Sequence, residues 1–170
     1  MPTYIALLRA VNVGGTGKLP MADLRAMCEA LGFTSVRTYI ASGNVVFQSR
    51  LAAASVKKQL ERSLEDYAGK PVGVLLRTAA EMAAVLAANP FASEPPERTL
   101  AIFLDTAPSA DALEKASGQG TELIALGTRE IYVYYQDGIA RSKLKIPAAK
   151  NGTARNMNTV ATLAQWAAER

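Results

Sequence analysis

The stretch Val36-Arg37-Thr38-Tyr39-Ile40-Ala41-Ser42-Gly43-Asn44-Val45-Val46-Phe47-Gln48 decides how the chain is read. β-branched and aromatic residues gather at both ends, around Ser42-Gly43-Asn44, three residues with strong turn chemistry. This predicts two strands, Val36 to Ile40 and Val45 to Gln48, joined as a hairpin. On the N-terminal side, residues 4–11 are mostly apolar, as in a buried strand. The loop Asn12-Val13-Gly14-Gly15-Thr16-Gly17-Lys18 follows. A helix then starts near Pro20, tolerated in a first turn, with Met21, Leu24, Cys28 and Leu31 on one face and Gly32 at its end. On the C-terminal side, Val56, Leu60, Leu64 and Tyr67 make a second helical stripe, and Val72 to Leu76 is the next strand. The order β-α-β-β-α-β is that of a ferredoxin-like half, with two helices on one face of a four-stranded sheet.

Thr78-Ala79-Ala80-Glu81 has the form of a capping box, with Met82, Val85 and Leu86 at helical spacing behind it. Asn89-Pro90 closes that helix, and Ser93 to Arg98 is polar and linker-like. The expected division is a first half over 1–78, a connecting helix and linker over 79–98, and a second α/β half over 99–170. The second half is expected to repeat the order. Leu100 to Leu104 reads as a strand and Asp111 to Ala116 as a short helix. Leu123 to Leu126 and Glu130 to Tyr135 are strands around Gly127-Thr128, and Ile139 to Leu144 reads as extended after Asp137-Gly138. Val160, Leu163, Ala164 and Ala167 mark a last helix. The fold class is therefore α+β, two plait-like halves with mostly antiparallel sheets.

Composition narrows the chemistry. The 170 residues contain no histidine and one cysteine. Serine–histidine and cysteine–histidine nucleophile pairs are excluded, as are histidine-ligated metals, and one thiol cannot build a structural zinc site. No metal site is expected. No apolar run approaches the ~20 residues that span a bilayer, and the opening Met1-Pro2-Thr3-Tyr4 lacks a secretory head; the expectation is a cytoplasmic protein without membrane contact. Cys28 lies on an apolar stripe and reads as a core residue.

The net charge is +4, unevenly spread. Gly138 to Ala168 has no acid but holds Arg141, Lys143, Lys145, Lys150 and Arg155; Pro2 to Ala22 has none but holds Arg9 and Lys18. Such tracts suit either a solvated basic face or an anion site. The glycine-rich loop stands between a strand and a helix, where backbone N–H groups favour anions. It matches neither phosphate motif: a Walker loop needs Gly at Asn12 and Ser or Thr at Leu19, and the dinucleotide pattern needs Gly at Pro20. Arg141-Ser142-Lys143, if extended, sets two cations on one side. Thr153-Ala154-Arg155-Asn156-Met157-Asn158-Thr159 precedes the last helix, where Asn and Thr are natural caps but a cation opposes the macrodipole; Arg155 there is best explained by an anion or carboxylate partner. Tyr132, Tyr134 and Tyr135 fall on both faces of one strand and read as packing rather than base-stacking residues. Trp166 lies off the apolar stripe of its helix.

Long motifs carry a resemblance. Ile5 through Gly15 with Lys18 and Met21, Arg37 through Phe47, Asn89-Pro90-Phe91, Arg141-Ser142-Lys143-Leu144 and Thr153-Ala154-Arg155-Asn156 are similar to a bacterial family catalogued as domain of unknown function 1697. That family usually has Gly at the place of Ala10 and Trp at that of Met157. The resemblance implies two α/β plait-like halves and no established activity. It points to Arg9, Asn12, Lys18, Ser42, Asn44, Arg141, Lys143, Arg155, Asn156 and Asn158.

The leading expectation is a binding protein for an anionic ligand, a nucleotide or phosphorylated small molecule, in a site between the halves. Its residues would be Arg9, Asn12, Gly14, Gly15, Lys18, Ser42, Asn44, Arg141, Ser142, Lys143, Arg155, Asn156 and Asn158. One alternative is nucleic-acid binding. Another is phosphoryl or nucleotidyl transfer, for which Asp23, Asp105 and Asp137 are the available carboxylates; a scaffold role is a further one. No catalytic residue, cofactor or oligomeric state follows from the sequence.

Overall fold

A computed structural model describes residues 1–12 and 18–169. It is a mixed α+β structure with two four-stranded antiparallel sheets and four α-helices. The chain divides into two units, Met1–Met82 with Leu163–Arg170, and Ala83–Thr162.

In the first unit, β1 (Thr3–Leu8), α1 (Met21–Ala30), β2 (Thr34–Tyr39), β3 (Asn44–Gln48), α2 (Ala53–Ala68) and β4 (Val74–Thr78) follow in the order read from the sequence. The sheet order is β2-β3-β1-β4, with Ile5 opposite both Val46 and Arg77. Strand alternation sorts the side chains. Tyr4, Ala6 and Leu8 share one core with Leu24 and Cys28 of α1 and Val56, Leu60 and Leu64 of α2. Ile5, Leu7, Val46, Leu75 and Arg77, on the other sheet face, are buried too. Gly69, left-handed at φ 73°, closes α2, where a side chain would be strained. Tyr67 has the spacing of the α2 stripe but is exposed; its hydroxyl donates to Asp23 Oδ2 at 2.7 Å.

The capping box at the start of α3 (Ala79–Ala87) is reciprocal: Thr78 N–H donates to Glu81 Oε1 at 2.9 Å, and Glu81 N–H to Thr78 Oγ1 at 3.2 Å.

The second unit departs from the expected repeat. Its strands are β5 (Thr99–Phe103), β6 (Leu123–Leu126), β7 (Glu130–Tyr134) and β8 (Thr153–Asn156), in the order β6-β7-β5-β8. Asp111 to Ala116 is a run of turns, not a helix. Only Lys115 N–H reaches four residues back, to Asp111 O; Ala112, Glu114 and Ala116 bond three back, so no helical ladder propagates. The extended reading of Ile139 to Leu144 also fails. Ile139–Arg141 is a 3₁₀ turn entered through Gly138 at φ 86°, and Ser142 N–H donates to Ile139 O at 3.0 Å. Thr153 to Asn156, read as a lead-in to the last helix, is β8, paired antiparallel to β5 with Ala101 opposite Arg155. The last helix, α4 (Met157–Ala168), follows β8 without a loop. Tyr132 and Tyr134 are buried, and Tyr132 donates to Val85 O at 2.7 Å, so these rings serve packing.

Candidate functional site

Where β1 ends, the backbone is tied to the β2–β3 hairpin. Leu8 N–H donates to Gly43 O at 2.8 Å. Gly43 has φ 90°, and a Cβ there would stand 2.6 Å from Val11 Cγ2 and 2.9 Å from Leu8 Cβ; only glycine allows this approach. Asn44, fully buried, donates through Nδ2 to Tyr39 O and to Ser42 Oγ, each at 2.9 Å. Asn12 acts as a second tie. Its Nδ2 donates to Leu19 O at 2.9 Å and to Ala41 O at 2.7 Å, while its Oδ1 accepts from Leu19 N–H at 2.8 Å. Asn12, Ser42 and Asn44 thus spend these polar groups on the scaffold. Among the described residues, three of the four non-glycine positions at left-handed φ lie here: Ala10, Asn12 and Ile40, at 57°, 54° and 49°, costly for a β-branched residue like Ile40.

Next to this knot the first unit has a cavity of about 560 Å³, lined by Arg9, Ala10, Val11, Lys18, Leu19, Leu64, Tyr67, Lys70 and Val72 among others. Three of its lining residues are cations and none is a carboxylate. Arg9 is held by its backbone, whose N–H donates to Gly73 O at 2.9 Å. Among the described residues, Lys18 and Lys70 have no ion pair or side-chain hydrogen bond. Val11, Leu19 and Leu64 give the cavity an apolar floor. Donation to Asp23 holds the Tyr67 phenol above its usual pKa, so it is neutral near pH 7. Lys70 was not singled out from sequence, and Tyr67 was read only as part of the α2 stripe; nothing in the sequence showed that both line one cavity with Lys18.

Arg141, Ser142 and Lys143 line a separate cavity of about 300 Å³ in the second unit, together with Glu122 and Asp137. Arg155, Asn156 and Asn158 line neither cavity. Arg155 is buried on β8 and donates to Thr153 Oγ1 at 2.8 Å and Ala154 O at 2.9 Å; burial pulls its guanidinium down to about 10, so it still carries its charge near pH 7. Asn156 is a cap, its Oδ1 accepting from Thr159 N–H at 3.0 Å, and Asn158 is exposed in the first turn of α4. Gly14 and Gly15 lie outside the described residues. Among the described residues, no group of three or more Cys, Asp or Glu could hold a metal ion, and no helix is long and apolar enough to cross a membrane.

A family profile described as "Protein of unknown function (DUF1697)" matches residues 1–132, ending before Arg141. No curated protein matches the chain. Among solved structures it is similar to the conserved bacterial protein SP0830 from Streptococcus pneumoniae. The two are 26% identical, the match covers 96% of this chain and 97% of that one, and the TM-score is 0.81.

Proposed function

Because the chain belongs to the DUF1697 family, whose description carries no activity, we propose from its own chemistry that it binds a small anionic ligand, a nucleotide or phosphorylated small molecule, in the cavity of the first unit. The observation that carries this is three cations, Arg9, Lys18 and Lys70, on one 560 Å³ cavity without a carboxylate among its lining residues. Like charges gathered on one partly apolar recess raise its positive potential, and an anion bound there is attracted by all three. The volume falls within the ~300–1,000 Å³ usual for small-molecule sites. In this reading Arg9 and the two lysines neutralise the phosphate, Tyr67 and the apolar floor take the rest of the ligand, and Asn12, Ser42 and Asn44 hold the walls.

The same reading treats the first unit as a ferredoxin-like half and the second as a plait whose first crossover is turns instead of a helix. The βαββαβ order of the first unit and the matching strand orders, β2-β3-β1-β4 and β6-β7-β5-β8, support it. A cytoplasmic location belongs to the proposal as well, supported by a single thiol, Cys28, that is buried.

The test is thermal unfolding at low salt with ADP, pyrophosphate, glucose 6-phosphate and a single-stranded oligonucleotide. A ligand at 100 times its Kd adds ~2.7 kcal/mol, a rise of several degrees at this chain length. The expected result is stabilisation by one small phosphate class, lost in Arg9→Ala and Lys70→Ala variants that unfold at the wild-type temperature without ligand. Stabilisation that survives both substitutions, or that comes only from the oligonucleotide and fades with salt at a slope of about −0.7 per phosphate contact, would reject the cavity as the site.

A further inference from the structure

The 300 Å³ cavity of the second unit differs in kind from the cationic one. Its lining brings together two cations, Arg141 and Lys143, and two carboxylates, Glu122 and Asp137. Opposite charges on one small cavity ordinarily pair. Here, among the described residues, neither Arg141 nor Lys143 makes an ion pair or a side-chain hydrogen bond.

Local bonds hold the acids instead. Glu122, only 7% exposed, accepts through Oε1 from Ser142 Oγ and from Gly120 N–H, each at 3.2 Å. Asp137 Oδ2 accepts from Thr121 Oγ1 at 2.7 Å. The two walls are also pinned to each other. Ser117 and Lys145 exchange backbone bonds at 2.9 and 2.8 Å, and a Cβ on Gly118 would run into the Lys143 carbonyl. Leu144 N–H donates to Ser142 Oγ at 3.1 Å, which fixes the hydroxyl that holds Glu122.

A cavity whose walls present separated, unpaired charges of both signs is complementary to a molecule carrying both signs. A simple anion there meets two carboxylates, and a simple cation meets Arg141 and Lys143; only a zwitterion finds each charge opposed. Size narrows the class: a sphere of 300 Å³ is roughly 8 Å across, close to the reach of two extended residues at ~3.3–3.6 Å each. We infer that this cavity is a second binding site, for a dipeptide-sized zwitterion whose carboxylate meets Arg141 and Lys143 and whose ammonium meets Asp137 and Glu122. Preformed walls lower the ordering cost of binding.

The experiment is calorimetric titration of the full chain with alanyl-alanine. Two analogues go beside it: N-acetyl-alanyl-alanine, without the ammonium, and alanyl-alaninamide, without the carboxylate. The expected result is saturable binding of the dipeptide and at least about tenfold weaker binding of both analogues. Arg141→Ala and Asp137→Asn, both at exposed positions, each weaken it at least about tenfold without changing the unfolding temperature, and Glu122→Gln weakens it as a third check. Arg9→Ala leaves it intact, which separates this site from the cationic cavity. Absence of saturable binding at about 10 mM dipeptide, a Kd at which ΔG is near −3 kcal/mol, overturns the inference. So does equal binding of either analogue, or retention of affinity in both surface variants.

Discussion

Replacing Asn12 by alanine tests whether one carboxamide organises the floor of the cationic cavity. The substitution removes two hydrogen bonds to Leu19, both half-buried, and one exposed bond to Ala41. The half-buried bonds contribute about 1 kcal/mol each and the exposed one about half that. Asn12 also has φ 54°, a conformation that asparagine tolerates and that costs alanine about 1 kcal/mol. The expected loss is about 3.5 kcal/mol, a fall in Tm of roughly 7–14 °C for a chain of this size. Asn12→Gly, free of the φ penalty, should recover about 1 kcal/mol of that. Asn12→Asp keeps the acceptor for Leu19 N–H but turns a carboxylate toward two carbonyl oxygens, so it should be at least as damaging as alanine. Urea unfolding followed by tryptophan fluorescence is the assay. Trp166, the only tryptophan, belongs to the first unit, where Arg37 lies over its ring at 3.5 Å and Tyr39 meets it edge-on at 5.2 Å. A loss under about 0.5 kcal/mol would refute the reasoning, since water would then serve Leu19 and Ala41 equally well.

Other outcomes follow from the same geometry. Ala10→Gly should stabilise by about 1 kcal/mol, because Ala10 sits at φ 57° where glycine is unstrained; an unchanged urea midpoint would contradict this. Gly43→Ala should cost about 2–5 kcal/mol, combining a left-handed penalty with overpacking against Val11 and Leu8, read as the shift in urea midpoint. Cys28, fully buried, has its thiol pushed up to about 12 by burial and then by Glu29. It should react with Ellman's reagent at pH 8 only as fast as the protein unfolds. Between the unfolded value near 9 and about 12, the native state keeps a proton that the unfolded chain has lost. Stability therefore falls as pH rises through that window, by up to about 1.4 kcal/mol per unit for this group. Tyr132, raised to about 12 by burial and Glu130, adds to the same alkaline limb, and Cys28→Ala should flatten part of it in urea titrations from pH 8 to 11.

The first unit was legible because each local signal agreed with the fold: the apolar run at Tyr4–Leu8, the Ser42-Gly43-Asn44 turn, and the helical stripe of Val56, Leu60 and Leu64 all point to the same elements. The capping box at Thr78 and Glu81 was readable for the same reason. The second unit misled where short segments lack a period. Asp111 to Ala116 is composed like a helix but too short to nucleate one. Thr153 to Asn156 has no apolar alternation, and its strand exists through pairing with β5, a contact far away in sequence. The site was legible by residue type and less so by role. Arg9 and Lys18 do share a cavity; Asn12, Ser42 and Asn44 look like ligand contacts in sequence because asparagine and serine suit both tasks, and only the bond partners separate scaffold from site. The buried Arg77, one strand position from the apolar Leu76, gave no periodic signal at all.

The first unit is assembled from two distant pieces of chain, Met1–Met82 and Leu163–Arg170. On a ribosome, its sheet and first two helices emerge long before the segment that brings Trp166 to Arg37 and Tyr39. The second unit, continuous from Ala83 to Thr162, has all its residues synthesised while the first is still waiting. The order of synthesis therefore does not follow the order of the units: part of the first is made after every residue of the second, unlike a chain whose domains emerge whole from N to C. A stalled chain ending near residue 160 would present the cationic cavity on a unit that lacks its closing segment.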